Sequence, residues 1–407
     1  MDFSEITLPD DDLAFWRDEV VPFYDEHLGS DILERERREG NGYVPELEVE
    51  LGKRGWLEPT APRDRGGADL DPVRAALVLG EEARRAGVLF PVKGSHQLVM
   101  EVVRRFGSPE LQEEVLAGSA AGTIKCCLGY TEPDCGSDAA AVTTRAIRDG
   151  SDWTVNGQKM FSTGAHLCQY AMITARTNPE APKHRGITLF LVPLDQPGVE
   201  RQGIDTLGGE RTNFIYFDEA VIPDTNRLGP VDEGWQVASG ALASEHGMDT
   251  AHGGFERTRT ADPDVFAAVS GASNWTGVLE VALDVAVEWA RVTTLDDGTL
   301  AIDDPNVRTR LARIAVDNAV IDATPSPFGR VVSSDLLIRD TAELIDLCGP
   351  AGLLGSSDPA SPGQGMIEWA HRFAQGTSIY GGTTDIQRNL IAEHYMGLPR
   401  HRGAIRS

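Results

Sequence analysis

The stretch WTVNGQKMFSTG at residues 153–164 and the run GITLFLVPL at residues 186–194 decide the fold of the middle of this chain. Their apolar residues either alternate with polar ones or follow one another without a break, which is typical of β-strands. Asn156-Gly157 is a strong signal for a two-residue turn, so we expect two short strands joined there in a hairpin. The continuous apolar run predicts a strand that is buried on both faces. A further strand is expected in NFIYFDEAVIP, residues 213–223.

Helical spacing of apolar residues flanks this β-rich stretch on both sides. Before it, Asp71-Pro72 supplies a cap and a first-turn proline to one helix, and a second helix is expected from Pro91 to Gly107. After it, helical patterns return over residues 234–246, 275–292, 307–320, 333–347 and 384–396. This order favours an α+β fold with an N-terminal α-helical domain (1–123), a middle β domain of barrel or sandwich type (124–230) and a C-terminal α-helical bundle (231–407).

The composition argues against a nucleic-acid-binding protein and against a membrane-spanning one. The 407 residues carry a formal net charge of −26, whereas nucleic acids and anionic membranes bind clustered Lys and Arg, so neither is expected as a partner. The best apolar run, Ile187–Pro193, is far shorter than the roughly 20 residues of a membrane-spanning helix, and the acidic N-terminus does not look like a signal peptide. The adjacent Cys126 and Cys127 suit neither a disulfide framework nor a CxxC metal site. We expect a cytoplasmic protein with reduced thiols and no bound metal.

The usual catalytic motifs do not occur, since the sequence has no paired-histidine metal spacing, GxSxG elbow, Walker loop or GxGxxG after a strand. The first segment that could carry chemistry is TEPDCGSD, residues 131–138. It offers backbone N–H groups and the hydroxyls of Thr131 and Ser137, which are the donors that a phosphate or a flavin edge needs. An ordinary turn rich in Gly, Asp and Ser is the competing interpretation.

Two more segments combine glycine with hydroxyl groups. In KMFSTG, residues 159–164, Phe161 and Thr163 are expected on one face of a strand, where they could shield a ring and bond one of its nitrogens. In the third segment, Gly381-Gly382 precede a helix that Thr383 or Thr384 would cap, which suits a ligand close to backbone N–H groups. A half-buried edge strand and a plain helix start are the competing interpretations.

Taken together, these segments resemble the flavin-dependent acyl-CoA dehydrogenase family over nearly the whole chain. The resemblance implies FAD as cofactor, an acyl-CoA substrate and an electron-transfer flavoprotein or similar acceptor. It implies α,β-desaturation, in which a base takes the α proton and the β hydride passes to flavin N5. The segments that carry it are TEPDCGSD (131–138), NGQKMFSTGA (156–165), KHRGITLFLVPLD (183–195), LGGERTNFIYFDEAVIPD (207–224), LCGPAGLLG (347–355) and YGGTTDIQRNLIAE (380–393).

The resemblance also implies individual roles. Thr131 matches the residue that bonds the pyrimidine edge of the flavin, and Thr163 matches the one on the N5 side. Phe161 stands where the family more usually has a Trp along the ring, and the backbone N–H of Gly381 matches a donor to the thioester carbonyl. The implied FAD-binding set is Leu128, Tyr130, Thr131, Gly136, Ser137, Phe161, Ser162, Thr163, Asp346, Gly349, Thr383 and Asp385, and the implied substrate-binding set is Ser137, Leu242, His246, Gly381 and Gly382.

Glu245 is the candidate base. Many members of the family carry the base as Glu in YEGT, but Gly381 holds that position here. Another branch takes its carboxylate from a helix after the β domain, and the matching spacing of ten runs from Trp235 to Glu245. At about 100° per residue, Trp235, Leu242 and Glu245 share one apolar stripe, a setting that raises the pKa of a carboxyl group. Glu256 is the rival candidate.

Several positions depart from the family pattern in the part of the flavin site that neighbouring subunits share. Where the family branch has an Arg after the base, this chain has His246. It has Thr293 in place of a further family Arg and Asp346 in place of a family Gln. Some family members in bacterial steroid side-chain breakdown form α2β2 heterotetramers in which one subunit type carries the base. The chain is therefore expected to act in a homotetramer or in such a heterotetramer. The alternatives are a non-catalytic or half-site subunit, or another flavoenzyme (oxidase or monooxygenase) on the same fold.

Overall fold

The computed structural model describes residues 9–86, 89–238, 275–324 and 328–399. These residues belong to two compact units, the first made of described residues up to 238 and the second of those from 275 onward. The first unit holds N-terminal helices and a sheet, and the second is helical. The expected order of helical, β and helical parts is confirmed.

In the first unit, helices precede the sheet. Helix α5 begins at Pro72, and the Asp71 carboxylate accepts the backbone N–H of Val73 at 2.9 Å, so the predicted cap is confirmed. Helix α6 ends one residue before Gly107, as expected. The described helices are α1 (Asp10–Phe15), α2 (Val21–His27), α3 (Ser30–Glu39), α4 (Pro45–Lys53), α5 (Pro72–Ala86), α6 (Val92–Phe106) and α7 (Pro109–Ala120), with a π-helical segment at Trp16–Val20.

The sheet is mixed, and its described strands do not close into a barrel. They run in the order β6-β7-β3-β2-β4-β5-β8, and β1 pairs with β4 in parallel. The predicted buried strand is β5, whose residues before Pro193 are all buried. The strands are β1 (Cys126–Gly129), β2 (Arg145–Asp149), β3 (Asp152–Lys159), β4 (Tyr170–Arg176), β5 (Ile187–Pro193), β6 (Val199–Asp205), β7 (Arg211–Pro223) and β8 (Arg227–Leu228).

The predicted hairpin turn at Asn156-Gly157 is wrong. Strand β3 runs straight through these residues, with an irregularity against β7 between Val155 and Gly157. The two-residue turn lies earlier, at Gly150-Ser151, because Asp149 and Asp152 are the last cross-strand pair of β2 and β3. Asn156 acts within the sheet, where its side-chain oxygen accepts the backbone N–H of Glu219 on β7 at 2.9 Å.

The second unit confirms the C-terminal helical bundle. Its helices are α8 (Thr276–Val292), α9 (Pro305–Ala323), α10 (Phe328–Cys348), α11 (Met366–Thr377) and α12 (Thr384–Leu390), and a π-helical segment follows at Ile391–Tyr395. Of the helix expected at 234–246, residues 234–238 are helical and belong to the first unit, and the remainder lies outside the described residues. In the described ranges, no helix is both long and apolar enough to cross a membrane.

Candidate functional site

The loop TEPDCGSD leaves the end of β1 as a tight turn. Glu132 and Cys135 exchange two backbone hydrogen bonds, of 2.9 and 3.1 Å, and both side chains are buried. Gly136 and Ser137 follow on the surface, while Thr131 is half-buried at the start of the turn. Of the predicted donors, Ser137 is therefore exposed and Thr131 partly exposed, whereas the N–H groups of Glu132 and Cys135 are used within the turn. Leu128 and Tyr130 pack against the core of the first unit.

A buried ion pair anchors this loop. The Lys159 ammonium, at the end of β3, donates to Glu132 Oε1 at 2.7 Å, and both side chains are essentially inaccessible to solvent. Thr143 and Thr144 add hydrogen bonds to the same carboxylate. Burial alone would raise the pKa of Glu132, but Lys159 and the threonines outweigh it and lower the pKa to about 2. The charged pair thus fastens the loop to the strand that leads to residues 160–164.

Residues 160–164, which we call the Phe161 turn, lie directly beside the loop. The backbone N–H of Met160 donates to the carbonyl of Thr131 at 2.9 Å. Phe161 has φ +58°, a left-handed conformation that is uncommon for a bulky residue, and its side chain is 53% exposed. Phe161 and Thr163 were expected on one strand face, but β3 ends at Lys159 and both residues lie in this turn.

The first unit therefore brings the residues predicted for the pyrimidine edge and the N5 side of the flavin into neighbouring segments. The carbonyl of Thr131 is bonded to the turn that carries Phe161, Ser162 and Thr163. The Ser162 hydroxyl is buried, and within the described ranges nothing hydrogen-bonds it. A buried hydroxyl without a partner costs free energy unless a ligand satisfies it. Strained backbone, an exposed aromatic ring and an unsatisfied hydroxyl together fit a planar ring with hydrogen-bonding edges.

The glycine pair of the second unit precedes α12. Gly381 and Gly382 have φ +63° and +80°, conformations that favour glycine. The Thr383 hydroxyl accepts the backbone N–H of Ile386 at 3.1 Å, which settles Thr383 as the predicted cap. Arg330 on α10 holds the preceding chain, because its guanidinium donates to the carbonyl of Tyr380 at 2.6 Å.

The other predicted cofactor residues of this unit lie at its surface. Asp346 is exposed, and its carboxylate accepts a hydrogen bond from Arg310 at 2.6 Å, so its negative charge is paired. Gly349 follows α10 with φ +57°. Asp385 is exposed in the first turn of α12 and pairs with Arg388 at 3.3 Å.

The residues expected to bind or activate the acyl chain, Glu245, Leu242 and His246, lie outside the described residues, as does Glu256. The helix expected to carry these residues is described only at its start, residues 234–238, and one face of that start packs against the protein. Trp235 contacts an apolar cluster that includes Ile187, and Ala238 is buried. The apolar stripe on which Glu245 is expected thus begins as a buried face.

Sequence reasoning gave no role to four residues that shape these segments. Lys159 could have been suggested, since a lysine and a glutamate in two candidate segments are an obvious charge pair. Arg310 links two helices, Arg330 reaches from α10 to the turn before α12, and Asn213 on β7 donates to the carbonyl of Ser162. These contacts join residues far apart in the sequence, so no local pattern points to them.

Comparison with known proteins identifies the family. Models of the acyl-CoA dehydrogenase N-terminal, middle and C-terminal domains match residues 10–123, 127–220 and 324–396. The chain is 30% identical over 383 residues to the acyl-CoA dehydrogenase FadE26 of Mycobacterium tuberculosis, covering 89% of each protein. The chain belongs to the acyl-CoA dehydrogenase family. This family consists of FAD-dependent oxidoreductases.

Solved structures agree with this family membership. The ChsE4-ChsE5 complex from Mycobacterium tuberculosis includes a chain 28% identical to this one, with a TM-score of 0.76 over 97% of this chain and 100% of that one. The steroid ACAD Tcur3481-Tcur3483 is 27% identical, with a TM-score of 0.78 over 98% and 100%. Each of these two structures carries the names of two different components.

Proposed function

We propose that this chain catalyses the FAD-dependent α,β-desaturation of an acyl-CoA thioester. Family membership supports the reaction class, and the Phe161 turn is the observation that supports flavin binding by this chain. Its exposed aromatic ring, left-handed backbone and buried Ser162 hydroxyl lie beside Thr131, as an aromatic cofactor with polar edges requires. When bound, the flavin supplies the hydride acceptor.

The residues of the first unit would orient this cofactor. Thr131 and Thr163 would donate hydrogen bonds to its polar edges, and Phe161 would lie along the ring and exclude water from it. Ser137, exposed after the tight turn, would contact the phosphates of the cofactor and of CoA. The buried charge pair of Glu132 and Lys159 would keep the loop in place without touching the ligand.

The acyl group would be activated by a donor and a base. The Gly381 N–H would donate to the thioester oxygen, and Glu245 would take the α proton. A hydrogen bond to that oxygen stabilises the negative charge that develops when the proton leaves. Burial of the Glu245 stripe would bring the pKa of the carboxyl closer to neutral pH, as a general base needs.

Replacing Glu245 tests the base. We expect Glu245→Gln to keep FAD binding and to slow flavin reduction by substrate about 10²- to 10⁴-fold, the usual contribution of a general base. Stopped-flow absorbance of the bound flavin measures the rate. The matched control is Glu256→Gln, which should reduce at the native rate. Flavin reduction at the native rate in Glu245→Gln would contradict the assignment of the base. So would a loss of flavin reduction in Glu256→Gln alone.

We further propose an α2β2 complex with a second member of the family. Thr293, where the family has an Arg, directly follows α8, and the nearby Arg291 is paired with Glu288 at 2.5 Å. The similar ChsE4-ChsE5 and Tcur3481-Tcur3483 complexes support two kinds of subunit. A bulky, ring-bearing acyl-CoA is the first substrate to test, because the second of these is a steroid ACAD.

The visible spectrum and solution mass of the purified chain test the assembly. We expect the chain alone to be colourless or dimeric, and to bind FAD as a tetramer when produced with its partner. A yellow homotetramer with one flavin per chain would overturn the heteromer and leave the dehydrogenase reaction standing. Failure of every assembly to bind FAD would overturn the reaction itself.

A further inference from the structure

We propose that Asn213 is a positioning residue for the flavin: it holds the Phe161 turn in its strained, ligand-accepting form. The inference rests on the proposed flavin-dependent function, because that function gives the turn its ligand. Asn213 lies in β7, outside the loop and the turn, and its side chain is fully buried.

Asn213 binds both backbone polar groups of Ser162, its N–H and its carbonyl. Its backbone carbonyl accepts the N–H of Ser162 at 3.0 Å, and its side-chain amide donates to the carbonyl of Ser162 at 2.9 Å. On the other side of Phe161, the N–H of Met160 is bonded to Thr131. The left-handed residue is thus held by hydrogen bonds on both sides. Because such a conformation is disfavoured for Phe, losing the Asn213 amide should weaken the hold on that side and let the backbone relax, even though the backbone bond to Ser162 remains.

A second set of contacts fixes the Asn213 amide. Its Nδ2 lies 3.3 Å from Nδ1 of His166, and Nε2 of His166 lies 3.1 Å from the Asn41 side-chain oxygen. Asn41 in turn donates to Glu36 at 3.2 Å. An amide nitrogen can only donate, so His166 accepts at Nδ1 and carries its proton at Nε2.

The ring of His166 suits this arrangement because it is neutral. Burial and then the nearby Arg211 lower the pKa of His166 to about 4. A neutral ring has one donor and one acceptor, whereas a charged ring would present a second N–H to the Asn213 amide. The chain of hydrogen bonds from Glu36 through Asn41, His166 and Asn213 to Ser162 therefore permits one orientation of the Asn213 amide. In that orientation the amide nitrogen donates to the Phe161 turn.

The test compares two buried asparagines in the full-length chain. Asn226 offers a matched control, since its amide also donates to a backbone carbonyl, that of Leu191 at 3.0 Å, away from the turn. We expect Asn213→Ala to speed hydrogen exchange of backbone amides at residues 160–166 about ten-fold in the flavin-free chain. Asn226→Ala should leave that peptide unchanged. In the FAD-binding assembly, Asn213→Ala should weaken FAD binding about ten-fold relative to the control.

Each outcome decides one part of the proposal. Unchanged exchange in Asn213→Ala would overturn the positioning role, and altered exchange with native FAD affinity would overturn its link to the flavin. If the assembly made with the unsubstituted chain binds no FAD, the proposed function is overturned instead. The hydrogen-exchange rates of residues 160–166 still test the positioning role in that case. If Asn213→Ala does not fold, His166→Leu replaces it, since this change keeps both bonds to Ser162 but frees the amide. It should give a smaller effect of the same sign, and no effect would overturn the proposal.

Discussion

At the scale of single residues, Phe161 combines two unfavourable features. Its ring is more than half exposed and its backbone is left-handed, which costs about 1–2 kcal/mol for a residue with a side chain. Among the described residues, burial of this half-exposed ring recovers little of that cost. Strain of this kind is found where a ligand needs a particular surface, which agrees with a place beside the flavin.

Two substitutions that remove the same ring test this strain. At most positions Ala is more favourable than Gly by roughly 0.5–1 kcal/mol, because Gly has more freedom in the unfolded chain. At Phe161 we expect the reverse, with Phe161→Gly about 1 kcal/mol more stable than Phe161→Ala, since only Gly adopts φ +58° freely. Urea unfolding of the flavin-free variants measures the difference. A more stable Ala variant would show that the left-handed conformation is not populated.

At the scale of elements, the irregularity in β3 is built around Gly157. This residue has φ +143°, and a Cβ atom there would lie 2.7 Å from Cα of Thr144. The strand passes Thr144 closely just before it reaches Lys159 and the Phe161 turn. The true hairpin glycine, Gly150, also has a positive φ, of +62°, but a Cβ atom would meet open space.

The two glycines therefore separate backbone strain from crowding. We expect Gly150→Ala to lower the free energy of unfolding by about 1 kcal/mol, from the unfavourable φ alone. Gly157→Ala should lower it by about 3 kcal/mol, because overpacking against Thr144 is added. Denaturant unfolding of both variants measures the two costs. Equal costs would mean that the strand moves away from Thr144 without penalty.

At the scale of the whole first unit, His96 connects helices to the sheet. Its Nε2 lies 2.8 Å from the Ser119 hydroxyl on α7, and its Nδ1 accepts the N–H of Cys126 on β1 at 3.1 Å. The ion pair of Lys125 and Glu48 lies beside it. Burial first, and then Lys125, lower the pKa of His96 to about 3. The neutral ring therefore links α6 and α7 to β1, the strand that precedes the TEPDCGSD loop.

This depressed pKa predicts how stability depends on pH. The unfolded chain binds a proton at His96 near pH 6.5 and the folded chain only near pH 3, so the contribution of His96 is full above about 6.5 and is lost as pH falls towards 3. The slope is at most about 1.4 kcal/mol per pH unit. His96→Gln should be less stable near neutral pH yet lose less stability on acidification. Urea unfolding of the unaltered protein and the variant over this pH range measures both differences. If the free energy of unfolding depends on pH in the same way in the two proteins, His96 does not have the depressed pKa.

The sequence by itself determined the features that local patterns encode. The buried strand β5, the cap at Asp71 and the family segments follow from periodicity and residue type over a few positions, whereas the choice of Thr383 over Thr384 as a cap came from the structure. The tertiary structure decided which glycine turns the chain, because Asn156-Gly157 is drawn into β3 by pairing with β7. It also decided that Phe161 is left-handed and that Asn213 holds its neighbour. Residues so far apart meet only once the strands have paired, so no local pattern contains their contact. The role of Glu245 and the three domain boundaries stay predictions.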